Sequence, residues 1–301
     1  DEMTEIKLKY KSERRTKIVE KAEEIVCRRA DIKVKVGFWA VCITSDYNLK
    51  FMVQDEFDTQ KSKKLALSSS PSIIFRQVVV CSNESSLYGF TNLGNCFKID
   101  LSECEPVDWR SPGIKFDKIC ESAAKNERVI KLFATETKFD GELLFMTKLG
   151  AVKRTLWSEF EGIKKLTPAF KLKDKDELLS VEHYDADEFS TMLFVTKHAM
   201  CLSAAKDDVP VQGRVAGGVK GMGLNDGDEI IFATQQNGEG EIIVVTSLDG
   251  FKRVIASLFD TYNRGSKGVM IADIKGKGDI IFANYVTIPY SLAITCNNKQ
   301  V

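Results

Sequence analysis

Lysine and arginine side chains recur beside turns throughout this 301-residue chain. Such cations bind phosphate oxygens, and a series of them along one surface could hold a nucleic-acid backbone through many modest contacts. Each residue alone could equally be a solvated surface charge, but recurrence at equivalent positions favours phosphate binding. The candidates are Lys61, Lys63, Lys64, Lys148, Lys153, Arg154, Lys164, Lys165, Arg214, Lys220, Lys252, Arg253, Arg264 and Lys267.

Other chemistries have weaker support. The chain has 8 cysteines without a CxxC pair, and neither of its 2 histidines, His183 and His198, lies near a cysteine cluster. We therefore expect buried thiols in a reducing compartment, and no zinc site. A phosphate-binding GxxxxGK[ST] loop is absent from the sequence, and no acid/base or metal cluster occurs at matching repeat positions. We expect no catalytic site, no metal and no cofactor.

The overall charge restricts where a basic surface could lie. Lys+Arg and Asp+Glu both number 43, so the formal net charge is zero. A nucleic-acid-binding surface would therefore require the basic residues to be segregated on one side. No apolar run approaches the roughly 20 residues that span a membrane, and residues 1–4 do not resemble a signal peptide. We expect a cytoplasmic fragment of a longer protein.

A repeat with a period near 50 residues organises these cations. Successive threonines that end apolar runs are 47 to 56 residues apart. A turn follows each run, and then a strand that alternates polar and apolar residues, as in residues 151–156. The repeating threonines are Thr44, Thr91, Thr147, Thr196, Thr246 and Thr295.

The second half of the unit repeats as well. Gly227-Asp228 and Gly278-Asp279 each precede an Ile-Ile-Phe-Ala strand. A unit of about four strands with this period is typical of a propeller blade. We predict an all-β fold, a propeller-like disc of about six four-stranded blades over residues 31–301, with starts near residues 39, 86, 142, 191, 241 and 290. The sixth blade is truncated or completed from elsewhere, and residues 1–30 form a helical or extended linker arm.

Several of these segments resemble one known family. Residues 144–155 followed by Glu159-Phe160, residues 214–221 with Gly227-Asp228, and residues 263–269 are similar to the C-terminal domain of bacterial type IIA topoisomerase A subunits, those of DNA gyrase and topoisomerase IV. Residues 6–7, 9–10 and 12–16 resemble the segment that leaves this family's coiled coil. The resemblance covers nearly the whole chain.

The resemblance implies a β-pinwheel, a propeller relative whose blades exchange strands. It also implies that double-stranded DNA bends around a basic rim, and that the partners are the ATPase B subunit and the rest of the A subunit. DNA cleavage and ATP hydrolysis would then occur elsewhere, because the Arg-Tyr-Thr context of the family's nucleophile does not occur in this sequence.

One departure from the family bears on how DNA would wrap. Gyrase A subunits carry a glycine-rich basic heptapeptide, the gyrase box, and residues 60–66 here read QKSKKLA without the glycine pair. Without glycine, the backbone loses its close approach to phosphate. This favours a topoisomerase IV-type domain that bends DNA but constrains little positive superhelicity. A gyrase-type domain remains the alternative, and a protein-binding propeller is the further one.

Overall fold

The computed structural model describes residues 2–10, 37–64, 75–135, 140–163, 166–248, 250–290, 295–296 and 299–300. The chain divides into two compact units, Asp1–Lys35 and Val36–Val301. Within the first unit, helix α1 spans Glu2–Tyr10, and its first turn carries Glu2 and Glu5. Carboxylates at this end are favourable because the helix dipole is positive there.

The second unit consists mainly of short antiparallel strands. In chain order they are β1 Phe38–Thr44, β2 Leu49–Val53, β3 Phe75–Ser82, β4 Ser86–Thr91, β5 Asn95–Asp100, β6 Val129–Thr135, β7 Glu142–Thr147, β8 Ala151–Leu156, β9 Thr167–Pro168, β10 Leu178–His183, β11 Thr191–Thr196, β12 Met200–Ala205, β13 Val219–Lys220, β14 Ile230–Gln236, β15 Glu241–Thr246, β16 Phe251–Ile255, β17 Thr261–Tyr262, β18 Val269–Met270, β19 Ile280–Val286, β20 Thr295–Cys296 and β21 Lys299–Gln300.

Among the described residues of the second unit, the helical elements are few and short. They are α2 Gln54–Lys64, α3 Phe116–Ile119 and the 3-10 turns Leu101–Glu103, Trp157–Phe160 and Ala256–Leu258. Of the helices in the described ranges, none has the length and apolar character needed to span a lipid bilayer.

The described strands form five blades, and the prediction of about six four-stranded units is corrected accordingly. The strand orders are β2-β1-β3, β6-β4-β5-β9, β10-β7-β8-β13, β14-β11-β12-β17 and β16-β15-β19, and β18 also pairs with β12. In each blade, a hairpin of two strands is followed by a third strand, which pairs with the first strand of the hairpin and which we call the inner strand. The second strand of the hairpin lies on the other side of the first, and we call it the outer hairpin strand. The sixth repeat contributes only the pair β20 and β21 among the described residues.

Strands are exchanged between consecutive repeats. β9, β13 and the pair β17/β18 each lie beyond the outer hairpin strand of the preceding blade, and each comes from the connection of the next repeat. We call residues 166–172, 211–223 and 261–270 the first, second and third exchanged segments. This arrangement protects the outer sheet edge of blades 2, 3 and 4, which would otherwise present unpaired backbone groups.

The hydrophobic core lies between the blades as a series of layers. Leu144 and Met146 of blade 3, for example, pack with Met192 and Phe194 of blade 4. Similar layers separate blades 1 and 2, blades 2 and 3, and blades 4 and 5. Because the strands of blades 2, 3 and 4 face a neighbouring blade on both sides, their hairpin strands read as nearly continuous apolar runs.

The repeating threonines close the hairpin turns. The hydroxyl of Thr147 accepts a hydrogen bond from the backbone N–H of Ala151, four residues later, at 3.0 Å. The same bond occurs in all five blades, with oxygen–nitrogen distances between 2.8 and 3.2 Å for Thr44, Thr91, Thr147, Thr196 and Thr246. The predicted register is therefore confirmed for these five residues, and it has a physical cause.

The predicted turns are confirmed in blades 1 to 4. Tyr47, Gly94 and Gly150 take the positive φ that these turns need, at 62°, 76° and 84°. In blade 4 the residue with positive φ is Ala199 (64°), which follows Thr196 by three positions, as Tyr47, Gly94 and Gly150 follow their threonines. The turn length is the same in each case, so position rather than residue type determines which residue is strained.

The three tryptophans pack in the protein interior. Trp39, Trp109 and Trp157 are all buried. Trp109 contacts Phe57 of α2 and Phe75 of β3, with ring centroids 6.1 Å and 5.8 Å apart. Helix α2 therefore covers the outer face of blade 1.

Candidate nucleic-acid interface

The first and second exchanged segments are joined by hydrogen bonds. The backbone N–H of Lys171 donates to the carbonyl oxygen of Ala216 at 3.2 Å. In the opposite direction, the Arg214 guanidinium donates to the carbonyl oxygen of Pro168, also at 3.2 Å. Since the two segments belong to consecutive repeats, these bonds connect the outer edge of blade 2 to that of blade 3.

The second and third exchanged segments are joined in the same way. The Gly265 N–H donates to the Gly221 carbonyl at 2.6 Å, and the Gly223 N–H donates to the Ser266 carbonyl at 2.8 Å. The Arg264 guanidinium donates to the Lys220 carbonyl at 2.7 Å. Arg214 and Arg264 thus have equivalent roles 50 residues apart. The three segments form one continuous outer strip across blades 2, 3 and 4.

This strip is basic. It contains five cations and no acidic residue, and we call it the basic band: Lys171, Arg214, Lys220, Arg264 and Lys267. The lysines are exposed and the two arginines are half-buried. A guanidinium has five N–H donors, so the bond to a carbonyl occupies only part of its capacity.

Four of the five band residues belong to the set predicted from the sequence, and Lys171 does not. The repeat register does not predict Lys171, because the residue at the repeat position of Lys220 is Pro168 and Lys171 lies three residues further along the chain. Pro168 pairs with Asn95, just as Lys220 pairs with Ala151. Hydrogen bonding between the exchanged segments, which the sequence pattern does not reveal, brings Lys171 beside the second segment.

The prediction that Lys153 contacts phosphate is corrected by its burial. Its side chain is fully buried, and the ammonium donates to three backbone carbonyls, those of Ala169 (2.8 Å), Gly213 (3.2 Å) and Arg214 (2.6 Å). An ammonium has three N–H donors, so this one is saturated. Burial is the main cause that lowers the pKa of Lys153 to about 8.

Arg154 is also occupied by internal contacts. Its guanidinium lies 3.4 Å from the Glu142 carboxylate and donates to the Val209 carbonyl at 2.7 Å. The guanidinium carbon also stacks 4.4 Å from the centre of the Tyr184 ring. These contacts occupy the Arg154 side chain in the packing between blades 3 and 4, although its backbone pairs with Val211 and Gln212 of the second exchanged segment.

Lys148 lies in the turn of blade 3, on the side of the inner strands. Its ammonium is 3.4 Å from the Glu177 carboxylate, which the Arg128 guanidinium also contacts at 2.8 Å. The backbone carbonyl of Lys148 accepts a bond from the N–H of Ile230 in the next blade. The structure thus places Lys148 at a junction between blades rather than on the outer strip.

Blade 5 carries the predicted residues Lys252 and Arg253, and both are exposed. The Lys252 ammonium donates to the carbonyl of Ile271, just past the third exchanged segment, at 2.7 Å. The Arg253 guanidinium is 3.5 Å from the Glu241 carboxylate. Their role in phosphate binding stays a prediction.

Five predicted residues lie outside what the structure describes. Lys164 and Lys165 are not among the described residues, and the side chains of Lys61, Lys63 and Lys64 are not described either. The backbone of the last three belongs to helix α2, which runs to Lys64. The place that matches the gyrase box therefore begins as a helix in this chain. A group of three His, Cys, Asp or Glu side chains suited to a metal ion is likewise not found within the described ranges.

Comparison with known proteins identifies the repeats. A family model described as the DNA gyrase C-terminal domain, beta-propeller, matches residues 141–183, 190–237 and 240–287, which are the repeats of blades 3, 4 and 5. The chain is 28% identical to the A subunit of DNA gyrase from Staphylococcus epidermidis over 99% of its own length and 34% of the relative. It is 25% identical to the A subunit of DNA topoisomerase 4 from the same species over 95% of its length and 36% of the relative.

The chain belongs to the C-terminal domain family of type IIA topoisomerase A subunits. This type IIA C-terminal domain spans about a third of the length of those curated relatives. Its fold is similar to a solved structure of the C-terminal domain of DNA topoisomerase IV, with a TM-score of 0.72, 22% identity, and coverage of 84% of this chain and 79% of that one. The chain is similar to A subunits of both DNA gyrase and topoisomerase IV, so these comparisons do not distinguish between the two types.

Proposed function

We propose that this C-terminal domain binds double-stranded DNA along the basic band and bends it. The observation that carries the proposal is the series of hydrogen bonds between exchanged segments, which places cations from three repeats on one strip without acidic residues. Smoothly bending 20–30 base pairs costs on the order of 1–6 kcal/mol, so several phosphate contacts must act together. A strip that crosses three blades supplies them in sequence.

Binding with a salt titration tests this proposal. Five phosphate contacts predict that the logarithm of the association constant falls with the logarithm of salt concentration with a slope of about −4 to −5. A double variant, K220A/K267A, should reduce the steepness of the slope by about 2. The matched control is K118A/K125A, which removes two exposed lysines from the connection between β5 and β6, outside the basic band.

The outcomes separate DNA binding from the protein-binding alternative. Weaker binding by K220A/K267A, with K118A/K125A similar to the unmodified domain, supports the basic band as the DNA path. Absence of binding at low salt, or binding that does not weaken as salt rises, contradicts the proposal and favours a propeller that binds proteins.

We further propose topoisomerase IV-like behaviour, in which DNA bends without a large positive superhelical wrap. The support is the helical backbone up to Lys64 and the absence of the glycine pair in residues 60–66. Nicked plasmid that is bound by the domain and then ligated should show little change in linking number. A large positive change would favour gyrase. Replacing Ser62 and Lys63 with glycine should increase the change if the heptapeptide sets the wrap.

We also propose that the sixth repeat packs against the exposed face of blade 5. Phe251 and Ile281 of blade 5 are 52% and 63% exposed. At the matching register of blade 4, Cys201 and Ile231 pack against blade 5. An apolar face of this kind requires a covering layer. We propose that the segment that begins near residue 290 provides it, with Tyr290 at its start.

Within the whole enzyme, we propose that residues 1–30 link this domain to the rest of the A subunit. DNA cleavage and ATP hydrolysis would occur in the B subunit or in the remainder of the A subunit, in the bacterial cytoplasm at the nucleoid. The domain would need no cofactor for bending, because phosphate binding depends only on its own cations.

A further inference from the structure

Lys153 connects two consecutive exchanged segments through one buried ammonium. Ala169 belongs to the first exchanged segment, and Gly213 and Arg214 belong to the second. Lys153 itself lies in β8, the outer hairpin strand of blade 3, and β8 pairs with β13 of the second segment. Its three hydrogen bonds therefore tie both segments to the body of blade 3. The bonds to the second segment are at Gly213 and Arg214, a few residues before Lys220.

Stability alone is a poor explanation for this ammonium. Burying a charge is costly unless it is paired, and carbonyl dipoles offset only part of that cost. Within the described part of the chain, no carboxylate oxygen lies within 4.0 Å of the Lys153 nitrogen. The rings of Phe170 and Phe145, 4.9 Å and 5.4 Å away, contribute cation–π attraction.

The same position carries a lysine in alternate blades. Lys50 of blade 1 pairs with Cys42, Lys153 of blade 3 with Phe145, and Lys252 of blade 5 with Val244, each the second pair from the turn. The matching residues of blades 2 and 4 are Phe97 and Leu202. This position is therefore compatible with an apolar residue, and the lysines need a separate reason.

Each of these lysines binds the carbonyl of a segment outside its own hairpin. The Lys50 ammonium donates to the Trp109 carbonyl at 2.5 Å, and the Lys252 ammonium donates to the Ile271 carbonyl at 2.7 Å. Lys153 differs because it reaches two exchanged segments that both carry residues of the basic band. Its position suits it to set the spacing between them.

We propose that Lys153 is a positioning residue for DNA binding, whose ammonium fixes the first and second exchanged segments so that Arg214 and Lys220 face one phosphate path. This inference rests on the proposed function. Lys153 does not touch DNA itself, because its side chain is buried and its donors are occupied. Loss of the ammonium should let the glycine-rich second segment move and weaken binding by both cations.

The test compares K153M with K206M. Methionine retains most of the side-chain volume and removes the charge in both variants. Lys206 is equally buried, but its ammonium contacts the Asp185 carbonyl and the Tyr184 ring, which lie outside the exchanged segments. We expect K153M to bind a short duplex about tenfold more weakly, with a salt slope about 1–2 less steep. K206M should bind within about twofold of the unmodified domain.

Hydrogen exchange reports the position of the segments without DNA. The Ala216 N–H donates to the Gly213 carbonyl at 3.0 Å, and the Lys171 N–H donates to the Ala216 carbonyl at 3.2 Å. Both amides should exchange faster in K153M and at the original rate in K206M. Equal exchange in the two variants, or equal DNA affinity, would overturn the positioning role.

A pH profile of the unmodified domain tests the inference even if K153M does not fold. A neutral amine keeps two donors and presents a lone pair, so it cannot hold three carbonyls. DNA affinity of the unmodified domain should therefore fall several-fold from about pH 7 to about pH 9, as the Lys153 ammonium loses its proton. If K153M folds, its DNA affinity should show no such fall. The groups that face Lys153 are Glu159, Arg214 and Cys96. Burial keeps the pKa of Cys96 at about 12, above this range. A flat profile of the unmodified domain contradicts the proposal.

Failure of the proposed function gives a different result. In that case the unmodified domain does not bind DNA at low salt, and the positioning role in DNA binding fails with it. The exchange measurement would then still show whether Lys153 holds the segments. If the unmodified domain binds DNA and K153M matches K206M in affinity and exchange, only the role of Lys153 is wrong.

Discussion

At the scale of single residues, the repeating threonines have two functions. Each hydroxyl accepts the N–H that closes its hairpin turn. In blades 2 and 4 it also donates to a buried carboxylate, from Thr91 to Glu127 at 2.6 Å and from Thr196 to Asp228 at 2.7 Å. A β-branched hydroxyl side chain meets both needs, because it favours the strand and supplies the polar atom.

Because Thr196 of blade 4 donates to the buried Asp228 carboxylate, we expect it to contribute more to stability than Thr246 of blade 5. We predict that T196V lowers the free energy of unfolding by about 1–3 kcal/mol, because Asp228 loses a donor in a buried site. T246V is the matched control. It loses the same turn bond, but blade 5 has Gly278 where blade 4 has Asp228. Urea unfolding of both variants measures the difference, and an equal loss in T196V and T246V would contradict this explanation.

The titration of Lys153 predicts how stability changes with pH. Its pKa in the folded protein, about 8, lies below the ordinary value of 10.5. The unfolded chain therefore binds more protons between these values, and the free energy of unfolding rises with pH. Relative to K153M, the unmodified domain should gain about 2 kcal/mol between about pH 7 and about pH 9.5. A constant difference between the two proteins would show that Lys153 titrates normally.

The behaviour of Lys153 and Arg154 shows a limit of sequence reasoning at this scale. Alternation after a turn places them on opposite faces of a strand, but both faces of blade 3 are covered by neighbouring blades. A basic residue after the turn can therefore be a buried donor to carbonyls, as Lys153 is, or an inter-blade contact, as Arg154 is. Sequence period identifies the strand and leaves these roles undetermined.

At the scale of elements, strand exchange depends on glycine next to the short exchanged strands. Gly218 precedes β13 with φ of +71°, and an added Cβ would lie 2.6 Å from the Val152 carbonyl oxygen. Gly268 precedes β18 in the same way, with φ of +74° and a Cβ position 2.1 Å from the Cys201 carbonyl oxygen. Only glycine allows this approach to the outer strand without strain.

This geometry predicts a large difference between two glycine substitutions in one segment. G218A should destabilise the domain by on the order of 1–3 kcal/mol and weaken DNA binding, because β13 can no longer pair with β8. G213A is the matched control, since a Cβ at Gly213 meets nothing within 4 Å. Thermal unfolding and DNA affinity of the two variants measure the effect. Similar behaviour of G218A and G213A would contradict a special role for the exchanged strand.

The elements differ in how far the sequence predicts them. The hairpins were predictable because apolar runs, turns and threonines recur with a period near 50 residues. The exchanged strands were expected only from the family resemblance. The exchanged strands have only two residues each, which is too short to show the alternation of polar and apolar residues that identifies a strand. They are β9, β13, β17 and β18. The same limit concealed Lys171, whose place in the basic band depends on the bond to Ala216.

At the scale of the whole molecule, net neutrality and a basic surface are compatible. The chain carries 43 cations and 43 anions, yet the three exchanged segments contain only cations. Many acidic residues form pairs or accept internal bonds, as Glu177 does with Arg128. The charge that determines DNA binding is therefore that of the band, and salt dependence should follow the band's five cations rather than the net charge.

DNA bending is the most direct test of the proposed function. Energy transfer between dyes at the two ends of a duplex of about 30 base pairs measures the end-to-end distance. We predict that transfer rises as the domain saturates the duplex, and that K220A/K267A reduces both binding and the rise, whereas K118A/K125A does not. Saturable binding with unchanged transfer would mean that the DNA stays straight, and would contradict the account.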